Sequence, residues 1–254
     1  MRKTMLLALA FVASASVEAA AESLTRESLE RIGEKFRFFL ILEPTATKPL
    51  RFLYADIGNH IHVYAVKDGR ATPEWESVGL GSQVTAVFVE DLENDGRQEL
   101  VVATQRGRIL GYEIETWELI FENLVEKFTT ISCMTAANID DDPQKEVIFI
   151  AENYLFAYDG VTRMREWKSS EEMNATILAI ADVDDDPNLE IILNSGIVVD
   201  SRFRNIDWVK QKAGGFGMHM RLLDLDGDGY PEAIGDTPAY TLMVYDLYRR
   251  REIW

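Results

Sequence analysis

The chain has 254 residues, of which 47% are hydrophobic and 27% charged, and its formal net charge at pH 7 is −17. This composition can bury a substantial core, which excludes an intrinsically disordered chain. The excess of acids argues against nucleic acids and anionic membrane surfaces as partners, because phosphates would be repelled rather than neutralised. Cys133 is the only cysteine, so an intrachain disulfide is excluded.

The first 21 residues have the pattern of a secretory signal peptide. Arg2 and Lys3 form a positively charged segment, residues 5–12 are apolar, and residues 19–21 are three alanines that suit a cleavage site. The apolar run is too short to cross a bilayer. The sequence therefore predicts export to the periplasm or the extracellular space. An exported protein without disulfides needs another stabilising link, and bound metal is a candidate.

Residues 22–35 predict a short N-terminal helix ahead of the repeated part of the chain. Leu29, Ile32 and Phe36 fall on one face of this helix among charged residues, and a serine or threonine is available as its N-cap. We expect the apolar face to cover a blade edge or the mouth of a channel. Binding of a partner is the alternative role.

From residue 36 onwards, the sequence repeats a pattern of short apolar runs five times. The five tryptophans fall once in each repeat, at Trp75, Trp117, Trp167, Trp208 and Trp254. Four repeats also contain an acidic loop of nine residues, and these loops begin at Asp91, Asn138, Asp182 and Asp224. The first repeat, residues 36–79, has a tryptophan but lacks the acidic loop.

The repeats predict the fold. A period of about 40–45 residues with four short strands in each unit is typical of propeller blades. The runs are β-branched and interrupted by Gly, Asp and Pro, which argues against helical repeats. We therefore predict an all-β, five-bladed β-propeller of four-stranded antiparallel blades, each built from its own strands, after the short N-terminal helix. The predicted blades span residues 36–79, 83–123, 130–168, 176–211 and 217–254.

The acidic loops, each placed between the first two strands of a blade, predict metal sites. Positions 1, 3, 5 and 9 carry side-chain oxygens, and the backbone carbonyl of position 7 is a further candidate ligand. Hard oxygens suit Ca²⁺, whereas zinc prefers His or Cys. Crowded carboxylates also repel one another unless a cation neutralises them. We predict up to four calcium ions, with these candidate ligands: Asp91, Glu93, Asp95, Arg97 and Glu99; Asn138, Asp140, Asp142, Gln144 and Glu146; Asp182, Asp184, Asp186, Asn188 and Glu190; and Asp224, Asp226, Asp228, Tyr230 and Glu232.

The loop pattern also carries a family resemblance. Asp-x-Asp-x-Asp-Gly-x-x-Glu between short strands resembles FG-GAP or VCBS repeats, which are similar to the calcium-binding blades of integrin α-chain propellers. The resemblance covers residues 83–254 strongly and 36–82 weakly, and it implies calcium with a structural or recognition role. Pro143 and Pro187 depart from the glycine at position 6, and Glu93 departs from the aspartate at position 3. We expect the last loop to be the most secure site.

The sequence shows no recognised catalytic motif. It has no Gly-x-Ser-x-Gly elbow, phosphate loop, dinucleotide fingerprint or Cys-x-x-Cys pair. His60 and His62 would share one face of a strand, where such a pair can bind a transition metal but more often binds nothing. His219 and Arg221 would share one face of the first strand of the last blade and project into a central channel.

Three functions remain open on the sequence. The first, and our prediction, is a non-catalytic module that presents its loops to a protein partner, with calcium in a structural role. The second is a glycan-binding module, because bound calcium can coordinate sugar hydroxyls. The third is a polysaccharide lyase or glycosidase, which requires convergent carboxylates or a base in one cleft, and none is evident outside the metal loops.

Overall fold

The structure is a computed structural model that describes residues 36–45, 47–210 and 214–254. The predicted signal peptide and residues 22–35 of the predicted N-terminal helix lie outside this range. Phe36 does not continue that helix: it is the first residue of a strand and pairs with Asp56. The described residues form twenty β-strands and no helix, so none of their segments is a helix that could span a membrane.

The strands form five four-stranded antiparallel sheets, each made of four consecutive strands in sequence order. Sheet I contains β1 (Phe36–Leu42), β2 (Arg51–Asp56), β3 (Ile61–Lys67) and β4 (Arg70–Glu76). Sheet II contains β5 (Val84–Glu90), β6 (Glu99–Thr104), β7 (Ile109–Glu113) and β8 (Leu119–Glu122). Sheet III contains β9 (Ile131–Ala137), β10 (Glu146–Ala151), β11 (Tyr154–Asp159) and β12 (Arg165–Lys168).

Sheet IV contains β13 (Leu178–Ala181), β14 (Glu190–Leu193), β15 (Ile197–Asp200) and β16 (Asn205–Val209). Sheet V contains β17 (Met220–Leu223), β18 (Glu232–Asp236), β19 (Leu242–Asp246) and β20 (Arg251–Glu252). Because β1 pairs with β2, the first strand belongs to its own sheet and does not complete the last one. The predicted fold class, a five-bladed β-propeller of four-stranded antiparallel blades, is confirmed.

The chain divides into two compact units. The first ends at Gly79 and contains sheet I, and the second runs from Leu80 to Trp254 and contains sheets II to V. In sheet I, the two middle strands form the core, where Leu53 and Val63 have no exposed surface. One face of these strands carries stacked aromatic rings, including Phe52 on Tyr64 with ring centroids 5.4 Å apart.

In the second unit, successive sheets pack against each other through separate apolar clusters. Phe149 lies in the cluster shared by sheets II and III, Ile191 in that of sheets III and IV, and Ala233 in that of sheets IV and V. Every residue of β6, β10 and β14 is buried because both faces of these strands are covered. These buried second strands fix the position of the acidic loop that precedes each of them.

Candidate metal centres in the acidic loops

The four acidic loops occupy equivalent places in four sheets of the second unit. Each joins the first strand of its sheet to the second, as the sequence predicted. We name them loop A (residues 91–99), loop B (residues 138–146), loop C (residues 182–190) and loop D (residues 224–232). Position 9 of each loop is a glutamate and is also the first residue of the second strand. The buried strand therefore fixes one end of every loop.

The glutamates at position 9 close the loops. They are buried, with exposed fractions of 4% for Glu99, 0% for Glu146, 1% for Glu190 and 1% for Glu232. In each, the carboxylate oxygen Oε2 accepts a hydrogen bond from the backbone N–H of position 2, at 2.9, 2.7, 2.9 and 2.8 Å in loops A to D. This bond leaves Oε1 as the oxygen that can face another partner.

Aspartates at positions 3 and 5 curl the loops through side-chain to backbone hydrogen bonds. The position 5 carboxylate accepts the N–H of position 7 at 2.9, 2.9, 2.7 and 3.0 Å in loops A to D. The position 3 carboxylate accepts the N–H of position 5 at 2.9, 2.9 and 3.2 Å in loops B to D. Such turns are a common use of aspartate. Each of these bonds uses Oδ1, which leaves Oδ2 of the same carboxylate for a further partner.

Three loops bring carboxylate oxygens of three residues to within 4.8 Å of one another. Acidic groups of this kind offer the hard oxygen ligands that Ca²⁺ prefers. The three groups are Asp140, Glu146 and Glu166 at loop B; Asp182, Asp184 and Glu190 in loop C; and Asp224, Asp226 and Glu232 in loop D. Within the part of the chain that the structure describes, loop A forms no such group.

Two of the buried glutamates have an oxygen without a partner. Oε1 of Glu146 and Oε1 of Glu190 are buried and accept no hydrogen bond among the described residues. Burial, together with the nearby aspartates, raises the pKa of each of these carboxyls to about 7, because the charged form has lost its hydration. A buried polar atom left unpaired costs free energy. A bound cation would offset that cost, so the residues present fit a calcium ion.

Loop A is arranged differently because two of its carboxylates form ion pairs with arginines. Glu93 at position 3 lies 3.3 Å from Arg163, which follows β11 in sheet III. Asp95 at position 5 accepts a hydrogen bond from Nε of Arg97 at 2.8 Å. The longer side chain of Glu93 thus pairs with a neighbouring sheet rather than joining the other acids of its own loop.

In loop D, the carboxylates at positions 3 and 5 also form ion pairs with an arginine. Arg249, in the turn between β19 and β20, lies 3.1 Å from Oδ2 of Asp226 and 3.0 Å from Oδ2 of Asp228. The same guanidinium lies 3.1 Å from Asp246. Arg249 therefore neutralises the carboxylates at positions 3 and 5 and competes with a metal ion for them. The pattern of the loop did not indicate this contact, because Arg249 follows the third strand of the sheet.

Position 6 divides the four loops into two pairs. Gly96 in loop A and Gly229 in loop D have φ of 86° and 97°, and their N–H groups donate to the position 1 aspartate at 2.8 and 3.1 Å. Pro143 in loop B and Pro187 in loop C have no N–H to donate, and their rings fix φ near −65°. The proline loops are the ones that contain the unpaired glutamate oxygens.

Glu166 is a candidate ligand that the sequence did not single out. It lies in β12, the last strand of sheet III, yet its carboxylate joins Asp140 and Glu146 of loop B. Its Oε2 is also 3.0 Å from Arg204 of sheet IV. Burial and the charge of Asp140 raise the pKa of the Glu166 carboxyl. Only the side-by-side position of β12 and the loop reveals this ligand, because it lies outside the nine-residue pattern.

The other candidates from the sequence lie outside the acidic loops. His219 is exposed and its Nδ1 lies 3.3 Å from Asp236 in the adjacent strand β18. Arg221 donates a hydrogen bond to the carbonyl of Met220 at 3.0 Å. In sheet I, Nδ1 of His60 and Nε2 of His62 lie 3.6 and 3.1 Å from Oδ2 of Asp56.

A cleft of about 630 Å³ opens beside the last strands of sheets IV and V. The ring of Trp208 stacks on Tyr245 with centroids 5.9 Å apart, and the guanidinium of Arg250 lies 5.4 Å from the Trp208 ring. Three of its seven lining residues are cationic and one is acidic, and Arg250 is paired with Asp207 at 2.9 Å. The remaining lining residues are Val209, Lys210, Arg251 and Glu252.

Comparisons with known proteins support the fold. No family model matches the sequence, and no curated protein matches it. A crystal structure of BBS1N in complex with ARL6DN is similar, with a TM-score of 0.61 and 12% sequence identity, covering 87% of this chain and 68% of that chain. The crystal structure of the V. cholerae biofilm matrix protein Bap1 has a TM-score of 0.58 and 14% identity, covering 87% of this chain and 39% of that chain. At these identities the likeness shows the fold alone, and the FG-GAP or VCBS assignment stays a prediction.

Proposed function

We propose that the protein is an exported, calcium-binding β-propeller that acts as a non-catalytic protein-interaction module. The buried, unpaired carboxylate oxygens of Glu146 and Glu190, each beside the aspartates of its loop, are the observation that carries the calcium assignment. A divalent cation at these places supplies the missing partner and neutralises the buried charge. Calcium fits best because every side chain in these clusters offers carboxylate oxygen, and Ca²⁺ takes six to eight oxygen ligands.

The proposed role of calcium is structural. Each loop joins the first two strands of its own blade in sheets II to V, so an ion held there links both strands. An ion that binds only the folded chain stabilises it by RT ln(1 + [L]/Kd), about 2.7 kcal/mol per site at a hundredfold excess over Kd. We assign the stronger sites to loops B and C, and weaker sites to loops A and D, where arginines already contact the carboxylates.

Titration of the metal-free protein with Ca²⁺ tests this assignment. We expect saturable heat in isothermal titration calorimetry, with more than one site, and a melting temperature that rises in millimolar calcium. Mg²⁺ at the same concentration serves as the control for nonspecific attraction to an acidic protein. No heat and an unchanged melting temperature in calcium would show that the loops are acidic turns without metal.

A protein partner is supported by the fold and by the cleft near Trp208. One structural neighbour, BBS1N, was crystallised in complex with ARL6DN, which is an instance of this fold binding a protein. Tryptophan, tyrosine and arginine are enriched at the centres of protein interfaces. The cationic side chains around this cleft favour an acidic segment of the partner.

The partner proposal is tested by affinity capture from native envelope or culture medium, with calcium present and absent. Arg250→Glu reverses a charge in the cleft, and Arg165→Glu reverses an exposed charge of β12 elsewhere in the unit. We expect the first variant to lose a captured protein that the second retains. If both variants capture equally, the cleft is not the docking site. Binding of a glycan array in place of any protein would support the glycan-binding function instead.

Export is the remaining part of the proposal, and it rests on the sequence of residues 1–21. Expression of the whole chain in a bacterial host should yield a mature protein outside the cytoplasm. Sequencing its first residues should give an N-terminus at Glu22. Recovery of the uncleaved chain from the cytoplasm would contradict export, and the calcium sites would be unaffected by that result.

A further inference from the structure

The turn between β2 and β3 of sheet I gathers an aspartate and two histidines that take no part in the acidic loops. Asp56 ends β2, His60 closes the turn, and His62 lies in β3. Oδ2 of Asp56 lies 3.6 Å from Nδ1 of His60 and 3.1 Å from Nε2 of His62. Oδ1 of the same carboxylate accepts the backbone N–H of His60 at 2.8 Å. One carboxylate is therefore shared by two imidazoles.

His62 is held in place from two further sides. Its ring stacks on Tyr54, with ring centroids 4.9 Å apart and planes 19° from parallel. Nδ1, the nitrogen that does not face Asp56, lies 3.6 Å from Oε2 of Glu76 in β4. Metal-bound histidines characteristically direct their other nitrogen to a carboxylate, which orients the ring and raises its basicity. The Glu76 carboxylate lies on that side of the His62 ring, just beyond hydrogen-bond distance.

Gly58 keeps the space beside these groups open. A Cβ atom at this position would lie 3.2 Å from Oδ2 of Asp56 and 3.3 Å from Nδ1 of His60. The backbone of Gly58 does not have a positive φ, so the conformation of the turn does not itself require glycine. The side chain of His60 is 35% exposed and those of His62 and Asp56 are 14% and 17% exposed, which gives an ion access from solvent.

We propose that Asp56, His60 and His62 form a binding site for Zn²⁺ that is independent of the calcium loops. Two imidazoles and a carboxylate are a donor set that zinc binds, with a water or an external ligand in the fourth position. Calcium prefers oxygen ligands alone, so the two kinds of site differ in selectivity. The ligand atoms of the three residues do not all lie within 4.8 Å of one another, and the ring centroids of His60 and His62 are 6.2 Å apart. Binding therefore requires the more exposed His60 ring to turn towards the ion.

Calorimetric titration of the full protein with Zn²⁺, in millimolar calcium to occupy the acidic loops, tests this site. We expect one equivalent of zinc to bind, His62→Ala to abolish that binding and His60→Ala to weaken it at least about tenfold. Glu76→Gln should weaken it by about 10–100-fold, the usual effect of removing a carboxylate behind a ligating histidine. His219→Ala is the matched control, because His219 is the third histidine and is also paired with one aspartate.

Nuclear magnetic resonance of the unmutated protein gives a second measurement that does not depend on any variant folding. One equivalent of Zn²⁺ should shift the ring signals of His60 and His62 and leave those of His219 unchanged. Equal zinc binding by the wild type, His62→Ala and His219→Ala would overturn the proposal and indicate adventitious binding to an acidic surface. Absence of any zinc-dependent shift at His60 and His62 would overturn it as well.

Discussion

Loops A and D contain glycine at position 6, and loops B and C contain proline. In the glycine loops, the backbone N–H of position 6 donates to the position 1 aspartate, and an arginine contacts the acids at position 3 or 5. In the proline loops that N–H is absent, and the glutamates at position 9 each retain an unpaired, buried oxygen. Arg202, the arginine that reaches loop B, contacts Asp141 at position 4 instead.

The contrast shows that one nine-residue pattern can neutralise its charges in two ways. The glycine loops use hydrogen bonds and cations supplied by the chain itself. The proline loops leave one buried carboxylate oxygen each, on Glu146 and Glu190, without a partner among the described residues. Similarity to a consensus ranks loop D first, because it has glycine at position 6 and aspartate at positions 1, 3 and 5. The contacts of Arg249 and the unpaired oxygens of Glu146 and Glu190 rank loops B and C ahead of it.

Glu190→Gln tests the contrast where we expect the largest effect. The amide retains an oxygen for the N–H of Val183 but carries no charge, so loop C should lose its calcium. A hundredfold excess of calcium over Kd should then raise the free energy of unfolding of the variant by about 2.7 kcal/mol less than that of the wild type. Without calcium, the variant should equal or exceed the wild type in stability, because no buried charge remains unpaired. Urea unfolding with and without calcium measures both quantities.

Glu99→Gln is the matched control in a glycine loop. Glu99 accepts the same backbone hydrogen bond, from Leu92 at 2.9 Å, but its loop forms no acidic cluster among the described residues. Its calcium-dependent gain in stability should stay close to that of the wild type. If both variants lose calcium stabilisation equally, the division between proline and glycine loops has no consequence for metal binding.

The pH dependence of stability sharpens the contrast. In the metal-free protein, burial raises the pKa of Glu146 and Glu190 from 4.5 to about 7. The folded chain then holds these protons more tightly than the unfolded chain. Their contribution to stability is fully present below pH 4.5 and is lost as the pH rises through about 7. Calcium binds the ionised form, so the difference in stability between calcium-loaded and metal-free protein should widen over this range.

Urea unfolding at pH 5 and pH 7.5, in buffers freed of metal by a chelating resin, measures this effect. The double variant Glu146→Gln, Glu190→Gln is the control and should show a flatter pH dependence without metal. The metal-free stability of the wild type could instead rise between these two pH values as much as that of the double variant. This result would mean that burial does not raise the pKa of Glu146 and Glu190.

The sequence was sufficient for the fold because its markers are local and repeated. Tryptophans in phase, β-branched runs and turn residues at fixed intervals define the five sheets without knowledge of their packing. The candidate loop ligands at positions 1, 3, 5 and 9 are local in the same sense. Glu166 and Arg249 could not be found this way, since Glu166 reaches loop B from β12 and Arg249 reaches loop D from the turn between β19 and β20. Their positions depend on how strands lie side by side, which a nine-residue pattern does not encode.

Glu166→Gln tests whether such a distant candidate ligand contributes to calcium binding. We expect it to lower the calcium affinity of loop B, because one of the three clustered carboxylates is removed. Asp207→Asn is the matched control: Asp207 precedes Trp208 as Glu166 precedes Trp167, and it pairs with Arg250 at 2.9 Å as Glu166 pairs with Arg204 at 3.0 Å. Both variants therefore lose an ion pair with an arginine, and only Glu166→Gln also loses a clustered carboxylate. Calcium titrations that respond equally to both changes would exclude Glu166 as a ligand.

We expect the smallest effect on calcium binding from a change of Arg249, which pairs with two carboxylates of loop D. Arg249→Gln removes the guanidinium from Asp226 and Asp228, so their mutual repulsion returns and calcium no longer competes with an arginine. The calcium affinity of loop D should rise by about two- to fivefold, a modest change because exposed ion pairs contribute little. Arg202→Gln removes an arginine that contacts only position 4 of loop B and should leave calcium binding unchanged. Calorimetry of Arg249→Gln in a background where Glu146 and Glu190 are glutamine removes the stronger sites of loops B and C, and Arg202→Gln is compared with the unmutated protein. A fall in affinity for Arg249→Gln would show that the arginine orders the loop for calcium instead of competing with it.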